Sequence, residues 1–372
     1  MSTVTATPAR PSRVLDADAH VVEAGGVFDE WMTPGELPAD LPDTTPMIPC
    51  GDLDAIADQM EHGFDAPSYL RAMDRQGIDA VVLYPSLGLF VPFLPELDAD
   101  ASLAACRSYN DWIAGYCATD PGRLAGVGLV PLITPALAAQ ETARCADLGL
   151  VAVLARPNHL YGRNLGDPAY EPLYEAVEGS GLVLSVHEGL GLKGPTIGSD
   201  RFTTFAERHA MSHPMEQMAA MASLFLSGTL DRHPSMKVAF LESGTGWLPF
   251  WLHRLDEHAS WMADSETKGL EFKPSEYFAR QCVISTDPDD AMAGEVVRFA
   301  GADHMVWASD FPHPDAVFPG AVEHFLHEME EHPPAEPVTD GQLAEIFWDT
   351  PSRFYGLAER FADATVRSAP GN

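Results

Sequence analysis

The chain has 372 residues, 46% of them hydrophobic and 21% charged, which is long enough for one large α/β domain or two ordinary ones. Its 55 acidic residues outnumber 22 basic ones and give a formal net charge of −33. This balance argues against nucleic acid or an anionic membrane surface as a partner.

Cysteine usage and hydropathy point to a cytoplasmic protein. The five cysteines include no C-x-x-C pair, which argues against a disulfide framework or a thiolate zinc site. No stretch reaches the roughly 20 apolar residues of a membrane span, and the Ser/Thr/Pro/Arg-rich N-terminus has no apolar run typical of a secretory signal. We therefore expect no membrane association.

Eight short apolar runs alternate with longer segments of helical periodicity. Most of the runs are apolar on both faces, as buried parallel strands are. The runs predict strands at 14–19, 79–86, 125–130, 151–155, 182–189, 237–243, 282–287 and 304–310. The helical patterns fall at 68–76, 102–117, 134–148, 170–179, 213–228, 247–264, 289–300 and 341–347. Eight strand–helix units predict a single (β/α)8 TIM barrel.

The pattern shows no boundary within the barrel. We expect a disordered N-terminal tail at 1–12, one barrel domain at 13–362 and a flexible C-terminal tail at 363–372. The Pro-rich stretch 33–49 is interpreted as an insertion after strand one that forms a lid.

Polar residues of a distinctive kind stand at the ends of four predicted strands. Strand one ends in Asp18 and His20, which share a face because side chains alternate along a strand. Strand five ends in His187, strand six in Glu242 and strand eight in Asp310. In a barrel of this class, strand ends and the loops after them carry the chemistry. A divalent first-row metal with open positions needs this mixture of imidazoles and carboxylates.

Other polar residues near these ends are assigned structural roles. Asp16 begins its strand and is expected to be solvated or tied to a neighbouring loop. Asp287 is expected to cap the next helix. His313 lies in the loop after strand eight and is expected to be held by local hydrogen bonds, with support of the metal site as the alternative.

Several segments together resemble the amidohydrolase-2 group of the amidohydrolase superfamily. They include "DADAHVVE", "SDFPH" and "GWLPFWLHRLD", and the resemblance covers about residues 14–357. That group includes aminocarboxymuconate-semialdehyde decarboxylase and γ-resorcylate decarboxylase.

The resemblance implies that Asp18, His20, His187 and Asp310 are metal ligands. The chain departs from the commonest pattern at Asp18, where histidine is usual. It departs again at Glu242, where the decarboxylases carry a histidine that acts in proton transfer. The acid or base is therefore expected to be Glu242 itself, His213 or Asp310.

Two functions remain open at this point. The first is a metal-dependent non-oxidative decarboxylase of an aromatic or enolic carboxylic acid. The alternative is a metal-dependent hydrolase or hydratase that attacks an amide, lactone, C–C bond or alkene with a metal-activated water. One divalent ion is expected, with Zn²⁺ as the first choice and Mn²⁺ or Fe²⁺ as alternatives.

A negatively charged chain needs a local cation to bind a carboxylic acid. Arg156 and Arg254 are the arginines near strand ends, and arginine suits a carboxylate because its fork makes two hydrogen bonds. Tyr84 and Trp247 are the aromatic candidates for the pocket. The resemblance implies a homodimer in which Arg254 reaches the neighbouring subunit's site. The alternative for Arg254 is a surface arginine paired within its helix.

Overall fold

The computed structural model describes residues 9–23, 26–31, 53–189, 195–313 and 316–365. Eight strands form one parallel sheet that follows chain order. The strands are β1 Leu15–Val21, β2 Ala80–Pro85, β3 Leu124–Leu129, β4 Ala152–Ala155, β5 Val183–Val186, β6 Lys237–Phe240, β7 Cys282–Thr286 and β8 Met305–Trp307. Each predicted strand is present.

Backbone hydrogen bonds join the segment after β8 to β1 and so complete the ring. Asp310 N donates to Asp18 O at 3.1 Å, and His20 N donates to Phe311 O at 2.7 Å. This confirms the predicted (β/α)8 barrel.

Helices follow the strands around the outside. They are α1 Leu53–Glu61, α2 Ala66–Gln76, α3 Ala99–Cys117, α4 Pro135–Asp147, α5 Glu171–Ser180, α6 Phe205–Leu226, α7 Thr229–Arg232, α8 Leu248–Trp261, α9 Pro274–Gln281, α10 Ala293–Ala300, α11 Ala321–Glu331, α12 Asp340–Ala344 and α13 Thr350–Phe354. A π-helical turn, Glu345–Asp349, joins α12 to α13. The sequence patterns did not predict α1, α7, α9, α11 or α13.

The helix α6 begins eight residues before the predicted start at 213. The Thr204 side chain accepts a hydrogen bond from Glu207 N, and the Glu207 side chain accepts one from Thr204 N. This capping box starts the helix at Phe205. His213 consequently lies inside the helix, two turns from its N-terminus, and Pro214 is accommodated within it.

The strands are buried on both faces, which explains why their sequences read as nearly continuous apolar runs. The barrel interior also holds a polar cluster. Tyr84 OH lies 2.7 Å from Ser185 Oγ and 3.0 Å from Tyr355 OH, so each buried hydroxyl has a partner.

The packed chain extends beyond both ends predicted for the barrel. Arg10 donates to Glu323 Oε1 at 2.8 Å and to the carbonyls of Gln76 and Gly77. At the other end Ala364 is buried and its carbonyl accepts from Arg13. The predicted lid at 33–49 lies outside the described residues.

Candidate active site

The carboxyl ends of four strands bring imidazole and carboxylate side chains to one rim of the barrel. Asp18 and His20 lie within β1, and His187 directly follows β5. Glu242 follows β6 after one intervening residue, and Asp310 comes shortly after β8. All five residues are on the face where barrels of this class carry their chemistry.

Three of these side chains converge on a common point, and Asp310 lies beside it. One ligand atom from each of Asp18, His20 and His187 lies within 4.8 Å of the other two. Asp18 Oδ1 is 3.8 Å from His20 Nε2 and 3.5 Å from His187 Nε2. Asp310 Oδ1, in the segment after β8, lies 3.2 Å from His20 Nε2. Three segments distant in sequence therefore meet in one small volume.

Backbone carbonyls orient both histidines. His20 Nδ1 is 2.8 Å from Pro85 O, and His187 Nδ1 is 2.6 Å from Glu188 O. A carbonyl oxygen accepts hydrogen bonds, so each Nδ1 carries the proton and each Nε2 presents its lone pair to the common point. Metal-binding histidines are oriented in this way.

Most atoms at the common point lack hydrogen bonds. Asp18 Oδ1, His20 Nε2 and His187 Nε2 are buried and have no hydrogen-bond partner among the described residues. Asp310 Oδ1 is the exception, because His313 Nδ1 lies 2.8 Å from it. A buried acceptor left unsatisfied costs about 1–3 kcal/mol, so three in one place require an explanation. Two imidazole nitrogens and two carboxylate oxygens fit one divalent first-row metal ion.

The pKa shifts of His20 and Asp310 favour the protonation states in which these residues bind a metal. Burial and the neighbouring His313 lower the pKa of His20, which favours the neutral imidazole that a metal requires. Burial opposes ionisation of Asp310, but His313 and His20 outweigh it and hold the pKa of that carboxyl well below its usual range. Asp310 is thus a carboxylate at neutral pH.

Glu242 connects this cluster to His213. Glu242 Oε2 is 3.1 Å from His187 Nε2, and Glu242 Oε1 is 3.3 Å from His213 Nδ1. His213 Nδ1 also lies 2.9 Å from the Glu242 carbonyl, and its Nε2 is 3.5 Å from Glu188 Oε2. Burial lowers the pKa of His213 to about 4, so its imidazole is neutral near pH 7.

Arg156 binds Glu188, the carboxylate next to His213, and is only 2% exposed. Its guanidinium donates to Glu188 Oε1 at 2.9 Å, to Asn158 Oδ1 at 2.9 Å and to Leu89 O at 2.8 Å. Asn158 Nδ2 also donates to Glu188 Oε1, at 2.8 Å. The guanidinium is directed onto Glu188, and this contact fixes the carboxylate that faces His213.

A cavity of about 230 Å³ opens beside the cluster. Its polar lining includes His209, His213, Glu242, Asp289 and Asp310, and Asp287 completes the wall. No lysine or arginine is among the described residues that line it. The cavity is small and strongly acidic, so an anionic substrate would need a positive charge from elsewhere.

Comparison with known families identifies the fold's relatives. A family model described as amidohydrolase matches residues 15–357, which is most of the chain. The chain belongs to the amidohydrolase family. The resemblance predicted from the sequence is thereby confirmed.

Curated relatives of this amidohydrolase are decarboxylases. It is 26% identical over 270 residues to a 2-amino-3-carboxymuconate-6-semialdehyde decarboxylase of Dictyostelium discoideum, covering 72% of each chain. It is 25% identical over 255 residues to a γ-resorcylate decarboxylase of Polaromonas sp., covering 65% of this chain and 76% of the relative.

A solved structure shows the same fold. The dihydroxybenzoic acid decarboxylase of Polaromonas sp., determined with bound manganese and the inhibitor 2-nitroresorcinol, superimposes with a TM-score of 0.68 at 19% identity. The match covers 94% of this chain and 98% of that one.

The remaining predicted substrate-binding residues of this amidohydrolase lie at different depths. Tyr84 is fully buried, and its hydroxyl points to Ser185 and Tyr355 within the barrel. Trp247 is half-buried before α8, with Nε1 3.4 Å from the Oγ of Ser243, which lines the cavity. Arg254 is exposed on α8. Within one subunit, the structure does not bring Tyr84 OH or Arg254 into the described cavity lining.

Two residues assigned structural roles are closely tied to the site. His313 stacks on His20 with ring centroids 3.9 Å apart, and its Nδ1 lies 2.8 Å from Asp310 Oδ1. Asp16 is buried and accepts hydrogen bonds from Ser309 N and Ser309 Oγ, which holds the segment that carries Asp310. The sequence signal for His313 was its spacing of three residues from Asp310.

Asp287 does not cap the following helix as expected. Asp287 Oδ2 accepts from Gly244 N at 3.3 Å, and burial raises the pKa of Asp287 well above its usual value. Asp290 instead accepts from Met292 N at the start of the α10 region. Asp287 is thus part of the cavity wall.

None of the described helices has the length and apolar character needed to cross a membrane.

Proposed function

We propose that this amidohydrolase is a metal-dependent non-oxidative decarboxylase of an aromatic or enolic carboxylic acid. The proposal rests on buried ligand atoms from Asp18, His20, His187 and Asp310 beside a cavity, of which the first three have no hydrogen-bond partner among the described residues. The decarboxylase activities of its curated relatives support the same reaction class.

In this reaction the bond between the substrate carbon and its carboxylate breaks, and carbon dioxide leaves. The electron pair stays on the carbon, which takes up one proton. A bound divalent ion supplies Lewis acidity and a template for the substrate's oxygens. The chain must then orient the acid, exclude water and deliver the proton.

Three groups at the cavity are the candidates for proton transfer: Asp310, His213 and Glu242. Asp310 is ionised and has His313 Nδ1 at 2.8 Å, so a proton can pass between the two side chains. His213 is neutral and lies against two carboxylates. Each candidate is within reach of the same space, and substitution separates them.

The identity of the metal is a separate proposal. Zinc remains the ion first predicted from the sequence, with manganese and iron as alternatives. The carboxylate-rich ligand set and the manganese bound in the Polaromonas structure make Mn²⁺ the first ion to test beside Zn²⁺. Metal analysis after gentle purification from a defined medium would identify it.

We also propose a cytoplasmic homodimer in which Arg254 provides the positive charge that the cavity lacks. Arg254 is exposed on α8, and Phe250 and Trp261 on the same helix are 61% and 77% exposed. Positions 250, 254 and 261 share one helical face, because residues four and seven apart lie close together around a helix. An exposed stripe of two aromatics and an arginine suits a subunit contact.

The test of function is direct. Purified enzyme with saturating Mn²⁺ or Zn²⁺ is incubated with a panel of hydroxylated benzoic acids and enolic acids, and released carbon dioxide is measured. We expect stoichiometric release that is absent in His187→Ala. Incorporation of labelled oxygen from water into the product, without carbon dioxide, would instead establish hydrolysis or hydration.

A further inference from the structure

Glu242 is placed as a metal ligand would be. Its Oε2 lies 3.1 Å from His187 Nε2, which is closer than Asp18 Oδ1 comes to the same nitrogen, at 3.5 Å. The side chain is 12% exposed and lines the cavity. The carboxylate therefore faces the His187 nitrogen that is directed at the candidate metal site.

The backbone at Glu242 has an unusual conformation. Its φ is 48°, in the left-handed region, where glutamate is rarely found. Asp310 is the other residue of the site with a positive φ, at 58°. Strained residues of this kind persist where the surroundings hold them and cluster at functional sites. Both strained residues direct a carboxylate towards the Nε2 of a histidine.

Surrounding hydrogen bonds hold this conformation. Glu242 N donates to Ser285 Oγ at 2.9 Å, and Glu242 O accepts from His213 Nδ1 at 2.9 Å. The fully buried Gln217 donates through Nε2 to Val186 O at 2.7 Å and to Leu241 O at 2.9 Å. Gln217 therefore links the residues immediately before His187 and Glu242, and it sets their separation.

The other oxygen of Glu242 lies against the ring that holds its backbone. His213 Nδ1 donates to Glu242 O at 2.9 Å and lies 3.3 Å from Oε1. Ligand carboxylates are commonly held by such outer contacts. In this arrangement His213 is a positioning residue for Glu242.

We propose that Glu242 is a fifth metal ligand through Oε2 and that His213 positions it through the hydrogen bond to the Glu242 carbonyl. This proposal rests on the metal site of the proposed function and adds a ligand to it. Three carboxylates and two imidazoles around a divalent ion give a net charge of −1. Such an oxygen-rich set favours Mn²⁺ relative to Zn²⁺ more than four ligands would.

The experiment uses Mn²⁺ alone and needs no substrate. Binding is titrated by the loss of the free-Mn²⁺ electron paramagnetic resonance signal, and water molecules on the bound ion are counted by water-proton relaxation. The variants are Glu242→Ala, Glu242→Gly, His213→Asn and His187→Ala. Glycine tolerates a positive φ, so Glu242→Gly keeps the backbone unstrained if the alanine variant folds poorly. Asp289→Asn is the matched control, because it removes an exposed carboxylate from the same cavity.

We expect Glu242→Ala and Glu242→Gly to weaken Mn²⁺ binding at least about tenfold and to add one water to the bound ion. Asp289→Asn should change affinity less than about threefold, and His213→Asn should weaken binding without adding a water. Equal small effects of the Glu242 and Asp289 substitutions, with no added water, would overturn the proposal. If His187→Ala still abolishes binding in that case, the assignment of the four ligands stands and only the assignment of Glu242 as a fifth ligand is wrong. If His187→Ala leaves binding intact, the metal site itself is wrong.

Discussion

At the scale of single residues, the site is built from side chains that have two polar ends and use each for a different purpose. His20 and His187 donate through Nδ1 to backbone carbonyls, which leaves each Nε2 for the common point. Asp310 differs, because its Oδ1 alone contacts both His20 and His313. Since each side chain is fixed by its second contact, substitution of one of them should remove one function without collapse of the barrel.

His187→Ala should abolish turnover and reduce bound metal, because it removes one ligand from a buried set. We expect at least about a tenfold loss of metal affinity, measured by titration and by metal analysis. Asp310→Ala should also abolish turnover. His327→Ala on α11, where the side chain is 59% exposed, is the matched control and should keep both properties. Full metal content and turnover in His187→Ala would refute the assignment.

Glu242→Gln and His213→Asn should have unequal effects on turnover when both are assayed with saturating metal. We expect a loss of more than about a hundredfold for Glu242→Gln and less than about tenfold for His213→Asn; an acid or base group ordinarily contributes roughly 10²–10⁴-fold. The reverse order would make His213 the proton donor. Unchanged rates in both variants would leave the role to Asp310.

At the scale of elements, a buried carboxylate just after β1 holds the loop that follows β2 at the rim of the barrel. Glu23, just after β1, accepts hydrogen bonds from the backbone N–H groups of Leu87 and Gly88, each at 2.9 Å, and of Ser86 at 3.3 Å. Ser86 Oγ lies 3.0 Å from His313 Nε2. Glu23 thereby supports the loop that contacts His313.

This burial predicts a pH dependence for the stability of the loop. Burial raises the pKa of Glu23 to about 7, against 4.5 in an exposed glutamate. The folded state therefore binds the Glu23 proton more tightly than the unfolded chain does. The stability that this proton contributes is fully present below pH 4.5 and is lost as the pH rises through about 7. Relative to Glu23→Gln, which cannot ionise, the wild type should lose on the order of 2–3 kcal/mol of unfolding free energy between pH 5 and pH 8.

Urea denaturation of both proteins at pH 5, 6, 7 and 8 measures this difference. Other titrating groups are common to the two proteins and cancel in the comparison. Parallel stability curves over this range would show that the Glu23 carboxyl keeps its ordinary pKa in the folded state.

At the scale of the whole molecule, charge is the dominant property. A net charge of −33 and an acidic cavity both repel a carboxylate substrate, and the described cavity lining contains no lysine or arginine. Arg156, the predicted anchor nearest the site, is directed onto Glu188. A second subunit that contributes Arg254 would resolve this conflict.

Hybrid dimers test whether the site is shared. Inactive His187→Ala chains are mixed with inactive Arg254→Ala chains under conditions that allow subunits to exchange. Activity should recover in the mixture, because one of the two sites in each hybrid then has both residues. Lys268→Ala, an exposed cation substituted in the loop after α8, is the matched control and should remain active by itself. An active monomer by light scattering, or unchanged KM and kcat in Arg254→Ala, would rule out the shared site.

The sequence by itself determined the barrel and the residues at its rim. Strands buried on both faces leave continuous apolar runs, and this local signal located all eight strands to within a few residues. Because parallel strands in a barrel end on one face, residues such as His20, His187 and Asp310 could be grouped without knowledge of their contacts. Helix starts were less readable where a capping box, as at Thr204, lay outside the apolar pattern.

The tertiary structure alone decided which of these polar groups meet. Arg156 and Glu188 are 32 residues apart in the chain, and His213 and the Glu242 carbonyl are 29 apart. No local pattern links such pairs, since their contact depends on strand register and on closure of the ring. The same closure brings His313 onto His20 and turns the Glu242 carboxylate towards His187 through a backbone conformation that glutamate seldom adopts.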